Sequence, residues 1–155
     1  MVLIKENIEK GRSVYKDNNL IRKNYFNKDI VWLLDHMEIM DNIMPGYIVG
    51  GGTILQGVYI NMINLPGIRA DKFIHTPEFI KKIYNFCLEL NTKTYPYYHG
   101  DWVLSNMFID EDVIYMCDWD NVGKHPSDQA MTKLYSDLYS AFGDQFKEIY
   151  DSATI

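Results

Sequence analysis

The spacing of apolar and polar residues changes several times along the 155-residue chain, and each change marks an element. Residues 13–25, SVYKDNNLIRKNY, hold two short β-prone runs around Asp17-Asn18-Asn19, residue types that tolerate the positive φ of tight turns, which predicts a hairpin. From Asn27 to about Ile43, apolar Ile30, Leu33, Leu34, Met37 and Met40 recur at three-four spacing, the mark of a helix with one buried face, with Asn27 as N-cap and Pro45-Gly46 as its stop. Residues 47–63 give two β-like runs, YIV and TILQGVYINMI, around Gly50-Gly51-Gly52, which reads as a turn.

Leu65-Pro66-Gly67 then punctuates the chain and sets the expected division, 1–66 and 67–155. Pro77 at a first helical position opens a helix to about Leu90, with Phe79, Ile80, Ile83, Phe86, Cys87 and Leu90 on one side. Between Asn106 and Asp118, MFI-DED-VIYMC predicts two strands around an acidic turn. Ser127 caps a last long helix with Ala130, Met131, Leu134, Leu138 and Ala141 inward, and Gly143 interrupts it before a final amphipathic segment. A strand-rich first part with one helix, followed by a mainly helical part with an embedded hairpin, is an α+β pattern.

Composition narrows what such a fold is for. A hydrophobic content of 47% supports a real core, while a net charge of −6 and a pI near 5.1 argue against a nucleic-acid footprint, which needs clustered Lys and Arg. The two cysteines, Cys87 and Cys117, sit in apolar segments and make no disulfide framework, so a reducing compartment is expected. MVLIKENIEKGR carries charge too early for a secretory signal, and the weakly polar run YIVGGGTILQGVYINMINLPGI is broken by Gln56, Asn61, Asn64 and glycines. A cytoplasmic protein without a membrane span is the expectation.

The predicted hairpin has a chemical consequence. Folding MFI onto VIYMC makes Asn106 and Asp118 neighbours at its open end, and Asp101, five residues before Asn106, is close enough to curl back over them. An amide oxygen with carboxylates suits Mg²⁺, a hard cation that takes a few protein oxygens and completes its shell with water and phosphate oxygens. The run His99-Gly100-Asp101-Trp102-Val103-Leu104-Ser105-Asn106 has the spacing of the phosphoryl-transfer loop H-R-D-x-x-x-x-N, and Asp118 stands where the later metal-binding aspartate belongs.

On these residues, HGDxxxxN followed by a strand pair and CDWDNVG, the chain resembles the aminoglycoside phosphotransferase and choline kinase superfamily, relatives of the protein kinases. GKHPSDQA resembles the family's G-x-x-P-x-x-D segment entering a helix. The match is specific over 97–130 and looser over 13–66. Glycine at position 100, with no lysine between Asp101 and Asn106, is closer to the small-molecule kinases than to the serine/threonine protein kinases.

The resemblance implies a reduced, two-lobed kinase-like fold and an ATP- and Mg²⁺-dependent phosphotransferase acting on a hydroxyl of an amino alcohol, sugar or aminoglycoside. Asp101 would accept or orient the hydroxyl proton, with His99 bracing the catalytic loop. Asn106 and Asp118 would hold Mg²⁺, with Asp120 as an auxiliary ligand. A basic residue on the second strand of the VYKDNNLIRK hairpin would contact the α and β phosphates. Arg22 and Lys23 point to opposite faces there, so only one reaches the nucleotide; Lys23 is favoured for its compact ammonium, and Arg22 aligns nearly as well. Glu38, or next Asp35, would orient it. Backbone groups near Asn61, Met62 and Ile63 would meet an adenine edge, and Glu9-Lys10-Gly11-Arg12 would serve as an abbreviated phosphate-covering loop. The family's members run to nearly twice this length, and a reduced lobe rich in Met and Tyr suggests a homodimer. A minimal protein kinase, a nucleotidyl-transferring enzyme and an idle nucleotide-binding module are the alternatives.

Overall fold

The computed structural model describes residues 2–7, 11–17, 19–124 and 127–153. Its chain divides into two compact units, Met1–Asn64 and Leu65–Ile155. The first is a sheet with one helix. Strands β1 (Val2–Asn7), β2 (Arg12–Lys16), β3 (Leu20–Tyr25), β4 (Ile48–Ile54) and β5 (Gly57–Ile63) form an antiparallel sheet of order β1-β2-β3-β5-β4. Helix α1 (Ile30–Ile43) packs on one face. The β2–β3 turn is tied by the Asp17 carboxylate, which accepts the backbone N–H of Asn19 (3.0 Å) and Leu20 (2.9 Å). Those two bonds hold its carboxyl below the ordinary carboxylate range.

α1 differs from the expectation in two respects. Its N-cap is Asp29, whose carboxylate accepts the Trp32 N–H at 3.0 Å, and Asn27 lies outside the helix. The buried stripe is Leu33, His36 and Met40, with Met37 partly covered; Ile30 and Leu34 are 44% and 61% exposed. The three-four spacing is satisfied by either set, and the sheet selects the stripe centred on 33, 36 and 40. Tyr25, Leu33, Val58 and Ile60 make the core of this unit, and the His36 ring stacks on Trp32 at 4.8 Å.

The glycine triplet is not a turn. Gly50, Gly51 and Gly52 lie inside β4, and the turn begins three residues after Gly52, at Leu55 and Gln56. A Cβ at Gly51 would stand 2.9 Å from the Tyr59 carbonyl oxygen and 3.2 Å from Met37 Sδ, so α1 can approach the sheet here only over bare backbone. On the opposite face the Tyr59 ring lies over Gly52.

In the second unit, α2 (Pro77–Thr94), α3 (Ser127–Phe142) and α4 (Asp144–Ala153) bury Ile80, Ile83, Cys87, Leu134, Leu138 and Phe146. Thr76 caps α2, accepting the Phe79 N–H at 3.1 Å, and the helix continues a turn past Leu90, where Thr94 donates to the carbonyls of Leu90 (3.0 Å) and Tyr97 (2.8 Å). Burial pushes the Cys87 thiol far up, as expected of a cysteine serving as a small hydrophobe. Short strands β6 (Ile68–Arg69), β8 (Met107–Asp110) and β9 (Val113–Met116) form one sheet, and β7 (Tyr97–Tyr98) pairs with β10 (Gly123–Lys124) in another. Among the described residues no helix is long and apolar enough to cross a membrane.

Gly51→Ala forces a methyl into the α1–β4 contact and is expected to cost about 1–3 kcal/mol. Gly50→Ala meets only the Asn61 amide at 3.9 Å and should stay within about 0.5 kcal/mol. Urea midpoints of the two variants measure the difference; equal midpoints would mean that the helix does not sit on Gly51.

Candidate functional site

The β8–β9 hairpin closes in the register Met107↔Met116 to Asp110↔Val113, with Glu111 taking the positive φ of its turn. Just beyond its open end the Cys117 N–H donates to the Asn106 carbonyl at 2.8 Å. Asp118 follows at once with φ +58°, a left-handed backbone that turns the chain out of the strand direction. The β7–β10 pairing, Tyr98 opposite Gly123, lays residues 99–101 beside 118–121. Gly100 has φ +83°, and a Cβ there would come within 3.2 Å of the Asn121 carbonyl, so this position of the HGD run needs glycine on both counts.

His99 is fully buried at the centre. Its Nδ1 accepts the Asp101 N–H (3.1 Å), so Nε2 carries the proton and donates to the Cys117 carbonyl (2.7 Å). The ring is packed edge-on to Trp119 at 4.6 Å and against Trp102 at 5.7 Å. With both nitrogens committed, His99 is a brace between loop and strand end and has no nitrogen left for proton transfer. Burial lowers its pKa, opposed by the Cys117 carbonyl and by the charges of Asp118, Asp101 and Asp120.

Asn106, nearly buried, donates from Nδ2 to both the carbonyl (3.2 Å) and Oδ2 (3.1 Å) of Asp101, folding the loop back over the hairpin end. A single 3-10 turn, Leu104–Asn106, makes the return possible, with Leu104 and Trp102 as its buried underside. The amide oxygen of Asn106 and the second oxygen of Asp101 are left out of these bonds. Among the described residues no group of three or more His, Cys, Asp or Glu could hold a metal ion by itself. The donors gathered here are an amide oxygen and separate carboxylates, a partial set that suits a hard cation sharing its shell with water and phosphate and does not suit a closed protein cage.

Sequence reasoning missed Asp137. On α3, its Oδ2 accepts the Trp102 N–H at 2.9 Å and its Oδ1 pairs with Lys133 Nζ at 2.8 Å, with the side chain only 11% exposed. The signal was present: a carboxylate between Leu134 and Leu138 on the apolar stripe of α3 needs a partner to be buried. Asp128, in the GKHPSDQA segment, is exposed.

In the first unit the expected nucleotide contacts separate. Lys23 stands opposite Ile60 on the face covered by α1, its Nζ 5.5 Å from the Tyr25 ring centroid. Arg22 is on the other face, donating to Asn61 Oδ1 at 2.8 Å and lying 4.3 Å over the Tyr59 ring. Arg22 and the Asn61 side chain thus bind each other. Asn61 and Met62 belong to a central strand paired on both sides, and the Ile63 N–H donates to the Tyr47 carbonyl (3.0 Å), so the sheet uses backbone groups expected to meet adenine. Glu38 and Asp35 are exposed, outside the stripe of α1 that meets the sheet. Glu9 and Lys10 of the expected phosphate-covering loop lie outside the described residues.

No family model matches the chain, and no curated protein matches its sequence. Solved structures do share its fold. A structure of WbdD superposes with TM-score 0.62 at 14% identity, over 88% of this chain and 36% of that one. WbdD in complex with the kinase inhibitor LY294002 gives 0.61 at 14% identity, over 88% and 36%. Monomeric WbdD gives 0.58 at 12%, over 86% and 38%. A further WbdD structure is described as a bifunctional kinase-methyltransferase. The chain has a kinase-like fold and spans little more than a third of the length of these neighbours.

Two outcomes follow from the bracing. Because the folded pKa of His99 is lowered, the unfolded chain binds a proton near pH 6.5 that the folded chain resists; this contribution is complete above that value and is lost as pH falls towards the folded pKa. Urea midpoints should drop between about pH 7 and about pH 5, with a flatter slope in His99→Gln; an unchanged slope would assign the titration to another group. Asp137→Ala, which strips the acceptor from a buried N–H, should cost about 1–3 kcal/mol and speed hydrogen exchange at Trp102. Unaltered exchange there would show that α3 does not hold the loop.

Proposed function

We propose that this chain is an ATP- and Mg²⁺-dependent phosphotransferase acting on a hydroxyl of a small molecule, of the aminoglycoside phosphotransferase and choline kinase type. One observation carries the reading: Asp101 is hydrogen-bonded to Asn106 and braced by His99 at the open end of the β8–β9 hairpin, the end from which Asp118 leaves with its left-handed backbone. An amide oxygen beside a carboxylate, with Asp118 next to the same hairpin end, is the kind of partial donor set that suits a hard cation sharing its shell with phosphate.

Asp101 takes the acceptor hydroxyl, orienting its oxygen towards the transferring phosphoryl group and accepting its proton. Asn106, through its amide oxygen, and Asp118 are the metal-holding residues, with Asp120 as an auxiliary carboxylate. Bound Mg²⁺ supplies neutralisation of phosphate charge. Lys23 is assigned the α and β phosphates in preference to Arg22 for its compact ammonium. Catalysis in this scheme is mostly positioning and electrostatics, which fits a loop held by His99 at one end and Asp137 at the other. A cytoplasmic location, where ATP is supplied, goes with this reading.

ATP with Mg²⁺ at about a hundred times Kd should stabilise the fold by about 2.7 kcal/mol, read as a raised melting temperature. Asp118→Ala should remove the magnesium-dependent part of that shift. Asp101→Asn should keep the shift while lowering turnover of amino alcohols, sugars or aminoglycosides by roughly 10²–10⁴-fold. A melting temperature indifferent to ATP and Mg²⁺ would sink the proposal. A shift without turnover of any acceptor would point to an idle nucleotide-binding module.

A further inference from the structure

Helix α1 has two apolar surfaces. One meets the sheet through Leu33, His36 and Met40; the other is turned outward and is aliphatic where a solvated helix face is normally polar. Val31 is 71% exposed, Leu34 61% and Ile30 44%, all within the first five helical residues. Such a surface costs free energy for as long as water covers it.

The charges flanking this patch identify what fits it. Exposed Lys28 stands just before the helix, its Nζ 5.3 Å from the Trp32 ring centroid. Exposed Asp35 stands about two turns on, and Glu38 and Asp41, also exposed, extend the acidic end. Asp29, beside Lys28, is spent on the N-cap. Among the described residues neither Lys28 nor Asp35 has an ion-pair partner in its own chain. The face therefore runs cation, aliphatic patch, anion. A second α1 laid parallel would set Lys28 against Lys28 and Asp35 against Asp35. Turned end for end, the same helix sets Lys28 against Asp35 twice, Ile30 against Leu34 twice, and Val31 against Val31 at the two-fold axis.

We propose that the outward face of α1 is a docking surface for a second copy of this chain, packed antiparallel about Val31. The patch is small: a standard interface takes about 800 Å² from each partner, and one helix face supplies a fraction of that. The dimer is accordingly weak and reversible, with Kd of roughly 10 μM to 1 mM. Its flanking ion pairs are exposed, so they fix the orientation more than they add affinity. The surface is built from Ile, Val and Leu of one helix, and not from the Met and Tyr content that suggested a homodimer. Association is measured without nucleotide, so this inference is independent of the phosphotransferase reading.

Sedimentation velocity of the full chain from about 10 μM to about 1 mM is expected to show a monomer–dimer equilibrium. Leu34→Asp, an exposed change outside the core, should abolish the dimer over that range. Lys28→Glu and Asp35→Lys should each weaken association by roughly tenfold, and the two together should restore it. The two positions are too far apart along one chain to pair with each other, so a rescue can come only from pairing between chains. Should Leu34→Asp fail to fold, the charge swap decides. A chain still monomeric at about 1 mM leaves this face to another partner and overturns the proposal, as does a dimer indifferent to Leu34→Asp. A double variant that does not recover association overturns the antiparallel arrangement.

Discussion

One buried imidazole holds the candidate site together. The Asp101 N–H needs an acceptor and the Cys117 carbonyl needs a donor, and a neutral imidazole supplies both from opposite edges of one rigid ring. Burial keeps that ring neutral, and neutrality keeps the two-sided bond; a protonated ring would turn an accepting nitrogen into a second donor facing an N–H. Three nearby carboxylates favour the proton that burial excludes, so the brace exists in a balance between desolvation and charge.

The other end of the loop is held by different means. Asp137 reaches it from α3 and accepts the Trp102 N–H, while Lys133 one turn earlier compensates the buried charge. A hydrogen bond from a charged acceptor to a buried donor is among the stronger ones available, and losing either partner leaves a group stranded. Asp101 is thus placed between two anchored neighbours, His99 and Trp102, before any ligand arrives, which is the condition for positioning to contribute to a reaction.

In the first unit the alternation of a strand settles what two adjacent basic residues can do. Arg22 and Lys23 are equivalent in sequence terms, yet one face of the sheet carries Tyr59 and Asn61 and the other carries α1. Arg22 is absorbed by the first face, stacked and hydrogen-bonded. The glycines of β4 belong to the same logic: Gly51 admits the helix, and Gly52 admits the Tyr59 ring. A glycine run that invites a phosphate-loop or turn reading is here a flat track for packing on both faces.

The chain's own letters were enough for two hairpins, three helices and the spacing of the loop. Period-two runs marked the β2–β3 and β8–β9 hairpins, three-four spacing marked α1, α2 and α3, and the distance from His99 to Asn106 and on to Asp118 marked the candidate residues, because these are local regularities of spacing. Tertiary packing decided the rest. It chose Leu33, His36 and Met40 over Ile30 and Leu34 as the buried stripe, kept the glycine triplet in a strand, committed both nitrogens of His99, set Arg22 on Asn61, and brought Asp137 to the loop from 35 residues away. Each of these depends on which surface a side chain meets, and partners distant in sequence leave no periodic trace along the chain.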